Sequence, residues 1–198
     1  MRHHHTLALV VVLALLTACN AYSGASPPVT PQSYGGAAPP TCHSDGVTPD
    51  PLCTPGVPNP AVTQANIQST ICVPGYTKTI RPPVSYTSPL KVRQMAMYGF
   101  TDSISLHEED HFIALTDGGS PTDEKNLWPG HFEDATHPLG MHAKDRLEVT
   151  INHLICNDTL TLAQGQDKLT HDWTQAFREY ERAGALAPMT VGVAEPDP

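Results

Sequence analysis

Glu109-Asp110-His111-Phe112-Ile113-Ala114-Leu115-Thr116-Asp117-Gly118-Gly119, followed by Asn126-Leu127-Trp128-Pro129, decides how this chain is read. An acid and a histidine stand side by side where an apolar run begins. Asp117-Gly118-Gly119 makes a turn, and an Asn opens the next apolar segment. Neighbouring side chains on a strand point to opposite faces. Asp110 and His111 therefore cannot share one buried contact, yet both can flank a bound ion and its water.

That arrangement suits hydrolysis of a phosphodiester, which needs an activated water and a place for the leaving oxygen's charge. A histidine accepts a proton near neutral pH. A divalent ion can hold the phosphate and the leaving oxygen, and an Asp oxygen with a neutral imidazole suits such an ion. The residues assign themselves accordingly. His111 is the candidate general base, Asp110 the first metal ligand, and His142, opening a later helix, the second. Asn126 is a positioning residue whose amide can hold the ββ loop or the His111 ring. His131 and His137 lie between Asn126 and His142 and can replace the latter. The expected cofactor is a divalent ion (Mg, Mn or Zn), with nucleic acid as the partner and no small organic cofactor.

Asp-His-x-x-x-Leu-x-x-Gly-Gly, with Asn-Leu-x-Pro about fifteen residues on and a helix beyond, resembles the HNH, or ββα-metal, nuclease superfamily. The matching residues are Asp110, His111, Leu115, Gly118, Gly119, Asn126, Leu127 and Pro129. The string His142-Ala143-Lys144-Asp145-Arg146-Leu147-Glu148, with His153 and Cys156 beyond it, is similar to a set of exported, lipoprotein-like bacterial proteins, mostly uncharacterised, that carry an HNH-like core. The nuclease likeness spans about residues 108–146, and the likeness to the exported set about 53–182. The resemblance implies a general base at His111, metal ligation by Asp110 and by a last histidine, and a structural role for Asn126.

The ends speak to export. Arg2 and three histidines precede an apolar run from Leu7 to Leu16, a pattern of secretory signals. The run is shorter than the ~20 residues a membrane span requires. Leu16-Thr17-Ala18-Cys19 resembles a bacterial lipobox, which makes residues 1–18 a signal peptide and Cys19 a lipidated residue anchoring an envelope protein to the membrane. Residues 19–52 are rich in Pro, Gly, Ser and Thr and read as a disordered tether. Residues 53–182 form the HNH-like domain, and 183–198 a disordered tail. An oxidising compartment lets Cys42, Cys53, Cys72 and Cys156 form two disulfides, with three pairings open. The formal charge of −9 opposes a tight non-specific grip on phosphates. It favours a second reading, a non-catalytic envelope lipoprotein that reuses the fold for interaction. A third is a zinc-stabilised structural module.

The expected class is α+β: a ββα-metal core, flanking helices and disulfide staples. Tyr76–Ile80 alternates like a strand. Ser88-Pro89 reads as a helix start and Gly99 as its end. Ile104–Leu106 and Phe112–Leu115 read as strands. Leu147, Ile151, Leu154 and Ile155 mark one face of a helix from about Met141. Thr161 and Gln164 form a capping box for a last helix carrying Leu162, Leu169, Trp173, Phe177 and Tyr180. His107 and His131 read as solvated loop residues, His153 and His171 as helix-surface or capped-core residues, and Glu108-Glu109 as a solvated pair. Lys144 and Arg146 read as phosphate contacts or an ordinary exposed helix face.

Overall fold

The computed structural model describes residues 41–188. The expected signal peptide, Cys19, most of the expected tether and the end of the expected tail lie outside the described residues. Among the described residues the α+β class holds, with two strands and five α-helices. No described helix is long and apolar enough to cross a membrane.

Strand β1 (His107–His111) and strand β2 (Leu127–His131) form an antiparallel pair. Its register sets His107 opposite His131, Asp110 opposite Trp128 and His111 opposite Leu127. Helix α1 spans Tyr76–Ile80 and α2 spans Val84–Tyr98. Helices α3 (Met141–Cys156), α4 (Leu162–Thr170) and α5 (Trp173–Arg182) follow β2. Helix α3 packs against α4, α5 and the turn Leu115–Asp117, while α2 lies along both strands. Leu147, Ile151 and Ile155 of α3, with Trp128, Leu169 and Trp173, form the wholly buried centre. The helical period read from the sequence thus does mark the face that packs.

Several local expectations fail for identifiable reasons. Strand β1 is His-Glu-Glu-Asp-His, not the apolar segments on either side of it. Ile104–Leu106 is instead a 3-10 turn capped by the Ser103 side chain. Phe112 and Ile113 lead into a second such turn at Leu115–Asp117. Tyr76–Ile80 is one helical turn entered from Gly75 in the left-handed region, at φ 82°. Helix α2 starts at Val84 on Pro83, so Pro89 lies within it rather than at its first turn. The capping box at Thr161 and Gln164 is formed. The predicted last helix is two, because the Asp172 side chain accepts from Gln175 N and restarts the helix as α5.

The packed region is longer than residues 53–182 at both ends. Cys42 is buried and bonded to Cys53, and its N–H reaches Met97 O. Thr48 and Asp50 fold back on Ser44 and His43. At the other end Ala187 N donates to Thr150 Oγ1 and Arg146 Nε donates to Ala187 O. The second disulfide joins Cys72 to Cys156 across 84 residues. In the chain-entropy account a loop of that size stabilises by about 4.5 kcal/mol, against about 3 kcal/mol for the 11-residue Cys42–Cys53 loop.

Candidate functional site

The Asp-His pair does reach a cleft. A space of ≈ 70 Å³ is lined by Arg81, Glu108, Asp110, His111, Asp145 and Glu148, among others. The loop between the strands is pinned beneath it by Asn126, which is fully buried. Asn126 Oδ1 accepts from Ile113 N at 2.9 Å and Val57 N at 3.2 Å. Its Nδ2 donates to Ile113 O at 3.0 Å and Ser120 O at 2.9 Å. Of the two uses open to this amide, holding the ββ loop is the one realised. Gly119 fits under the loop because any Cβ there would sit 1.8 Å from Ile113 O.

His111 Nε2 lies 3.0 Å from Pro121 O. A carbonyl can only accept, so Nε2 carries the proton and Nδ1 holds the lone pair of the neutral ring. Burial pushes its pKa down to about 4, with Arg81 and Lys144 adding to the depression and the Pro121 bond opposing it. The imidazole is therefore neutral at pH 7, with Nδ1 as an acceptor but a weaker base than an ordinary histidine.

Asp110 has partners that the sequence reading did not foresee. Lys144 Nζ stands 2.8 Å from its Oδ2 and 3.0 Å from its Oδ1. The same ammonium donates to His111 O at 3.0 Å and to Glu148 Oε1. Trp128 Nε1 donates to Asp110 Oδ2 at 3.0 Å. Lys144 is fully buried. Burial alone would discharge it, but Asp110 and Glu148 hold its pKa above the ordinary lysine value. Burial pushes Asp110 up to about 6, an effect that Lys144 only partly offsets. Both are charged at neutral pH, as the geometry of an ion pair demands. Burial, together with Glu148 and Asp110, pushes Asp145 up to about 8. Burial also raises Glu108 well above the carboxylate range, aided by Asp145.

His142 is elsewhere. Its side chain is 56% exposed, its Nδ1 meets Glu133 Oε2 at 2.7 Å, and its ring stacks on Phe132. Glu133 Oε1 caps α3 by accepting from Ala143 N at 2.6 Å. The imidazole supports that cap and makes no contact with Asp110. Among the described residues, no group of three potential ligands contains Asp110 or His142. Such groups lie at the far end of the hairpin: Asp102 with His107 and His131, and His131 with Asp134 and His137. His107 and His131 are buried strand ends, not solvated loop residues. Glu109 is buried as well, so the pair it forms with Glu108 is not a solvated one.

Asp145, Glu148 and Asp102 are residues that sequence reasoning missed, and Lys144, read as a phosphate contact or an exposed helix residue, is the buried partner of Asp110. For Lys144 a signal existed. Positions 144, 147, 151 and 155 follow the 3–4 spacing of one helix face, so the lysine belongs to the apolar stripe rather than the exposed side. Comparison with known proteins adds no assignment: no family model matches the sequence, and no curated protein or solved structure matches it.

Proposed function

We propose that this chain is an exported, disulfide-braced envelope protein whose ββα core of the HNH kind has lost its hydrolytic cation. It is anchored by lipid on Cys19 and works by interaction rather than catalysis. One observation carries this reading: the ammonium of Lys144 lies against Asp110, where the nuclease scheme requires a metal. It takes both Asp110 oxygens, the His111 carbonyl and Glu148. Asp110 and His142 do not fit a shared ion. The rim supports the same view: Asp110 is ionised there, and Glu108 and Asp145, kept protonated by burial, offer a phosphate anion no positive charge. The chain's charge of −9 adds repulsion.

Metal-dependent phosphodiester hydrolysis is the second reading, favoured by His111. Its ring is neutral, anchored through Nε2, and lines the cleft with Nδ1 as its remaining acceptor. Plasmid and single-stranded RNA incubated with Mg, Mn or Zn separate the two readings. The expected result is no cleavage by wild type above that by His111→Ala. Cleavage by wild type that His111→Ala abolishes, with the fold intact by circular dichroism, overturns the non-catalytic reading and installs the hydrolytic one.

A further inference from the structure

At the opposite end of the hairpin from His111, four residues and roughly 13 Å along β1, the facing pair His107 and His131 converges on Asp102. His107 Nε2 is 2.9 Å from Asp102 Oδ1, and His131 Nε2 is 3.2 Å from Asp102 Oδ2. The other nitrogen of each ring is already committed. His107 Nδ1 lies 3.0 Å from Pro129 O, and His131 Nδ1 lies 2.6 Å from Phe132 O. Both contacts are with carbonyls, so both Nδ1 atoms carry the protons. In the neutral rings the lone pairs then sit on Nε2, and both point at a carboxylate that has lone pairs of its own. Those lone pairs repel unless a cation stands between them, either a second proton on each Nε2 or a metal ion.

Imidazoles fixed through Nδ1–H on backbone carbonyls, with Nε2 turned to a common point, are arranged as metal ligands are. The ligand atoms of Asp102, His107 and His131 all lie within 4.8 Å of one another. Metal–ligand bonds of about 2.0–2.2 Å call for small outward shifts of these side chains. A fourth oxygen comes from a neighbouring group, His131 with Asp134 and His137, which shares His131 alone with the first, so the Asp134 side chain must swing in to join it. Asp134 Oδ1 accepts from Thr136 N and Oγ1 and from His137 N and Nδ1. Asp134 Oδ2 remains, 3.8 Å from His131 Nε2. Two neutral imidazoles and two carboxylates balance a divalent ion, which suits the burial of the rings. The Asp102 side chain is 39% exposed and gives the ion a way in.

We infer that Asp102, His107 and His131, with Asp134 as the fourth ligand, form a binding site for one divalent transition-metal ion of the zinc type. Two nitrogen and two carboxylate ligands select such an ion over Mg or Ca, which prefer all-oxygen shells. The ion clips the Asp102 segment and the 132–137 loop to the open end of the hairpin. The site shares no residue with the cleft and does not depend on whether the cleft hydrolyses anything.

The test uses the full chain, stripped with chelator and titrated with Zn by calorimetry and thermal melting. Asp102→Asn is the decisive variant, because its half-exposed side chain can change without emptying the core. Wild type binds one equivalent of Zn more than Asp102→Asn, or binds that equivalent at least ~100-fold more tightly. Its melting temperature rises with free Zn by mass action, while that of the variant stays flat. His3 to His5 are common to both proteins, so the difference between them isolates the site. Co in place of Zn gives wild type the strong visible absorption of a four- or five-coordinate ion, and Asp102→Asn lacks it. His142→Ala behaves as wild type does. Equal stoichiometry and affinity in wild type and Asp102→Asn overturn the proposal, as does loss of the same equivalent in His142→Ala.

Discussion

A lysine ammonium without solvent contact needs oxygen acceptors in place of water, and Lys144 has Asp110, Glu148 and the His111 carbonyl. Its removal would leave Asp110 deep in the protein with Trp128 Nε1 as the remaining donor. Lys144→Met keeps an unbranched side chain, one atom shorter, and deletes the charge. A buried carboxylate that loses its cation costs about 3–5 kcal/mol, and a urea denaturation midpoint should fall accordingly. Asp110→Asn combined with Lys144→Met should recover at least half of that loss, because no buried charge then remains. Unchanged stability in the single variant would mean that the ammonium does not hold the carboxylate. At this scale the sequence disclosed Asp110, His111 and Asn126, because acid, imidazole and amide each suit a stated task. It did not disclose their partners. A lysine on a helix is read as solvated, and only the apolar residues three, seven and eleven positions on place Lys144 inside.

Element boundaries followed the same division. Helix α3 and the α4 cap were legible, since a 3.6-residue period and a Thr-x-x-Gln pattern are direct consequences of helix geometry. Strand β1 was not, because its buried faces are polar and the signal for a strand is apolar alternation. His107 and Asp110 are tolerated there through Asp102, five residues upstream of His107, and through Pro129 O, Trp128 and Lys144, which come from distant points in the chain. Helix α4 carries a further constraint at Gly165, where α4 crosses α3. A Cβ there would meet Ile155 Cδ1 at 2.5 Å and Ile151 Cγ2 and Ile155 Cγ1 at 2.9 Å, all on fully buried residues. Helix propensity alone favours Gly165→Ala by about 1 kcal/mol, whereas overpacking costs about 1–3 kcal/mol. The crossing should win. Chemical denaturation is expected to show a net loss near 1 kcal/mol, and a gain would show that the α3–α4 crossing is loose.

The whole molecule is acidic, with a formal charge of −9, and much of its buried carboxyl chemistry surrounds one cation, Lys144. Helix α3 brings Lys144, Asp145 and Glu148 against Glu108 and Asp110 of β1. Acids kept above their ordinary pKa bind protons more tightly folded than unfolded. The stability they contribute is complete below the unfolded carboxylate value near 3.9 and drains away as pH rises through the folded value. For Asp110 that value is about 6, and for Asp145 about 8. These acids therefore lower stability from about pH 4 to about pH 8, while His111, held down to about 4, raises it up to about pH 6.5 and offsets Asp110, so the net fall should show above about pH 6. Asp145 dominates the upper part of that range, above pH 6. Protonated Asp145 and an Asn at the same position have the same shape, so Asp145→Asn should match wild type near pH 4. At pH 8 the variant should exceed wild type by at least about 1 kcal/mol, since it has no proton to lose. Glu108 and Asp117, which burial also raises, keep titrating in the variant. Its curve is then shallower than that of wild type but not flat. Urea midpoints measured across this range decide the matter: parallel curves for the two proteins would remove Asp145 from the acid cluster.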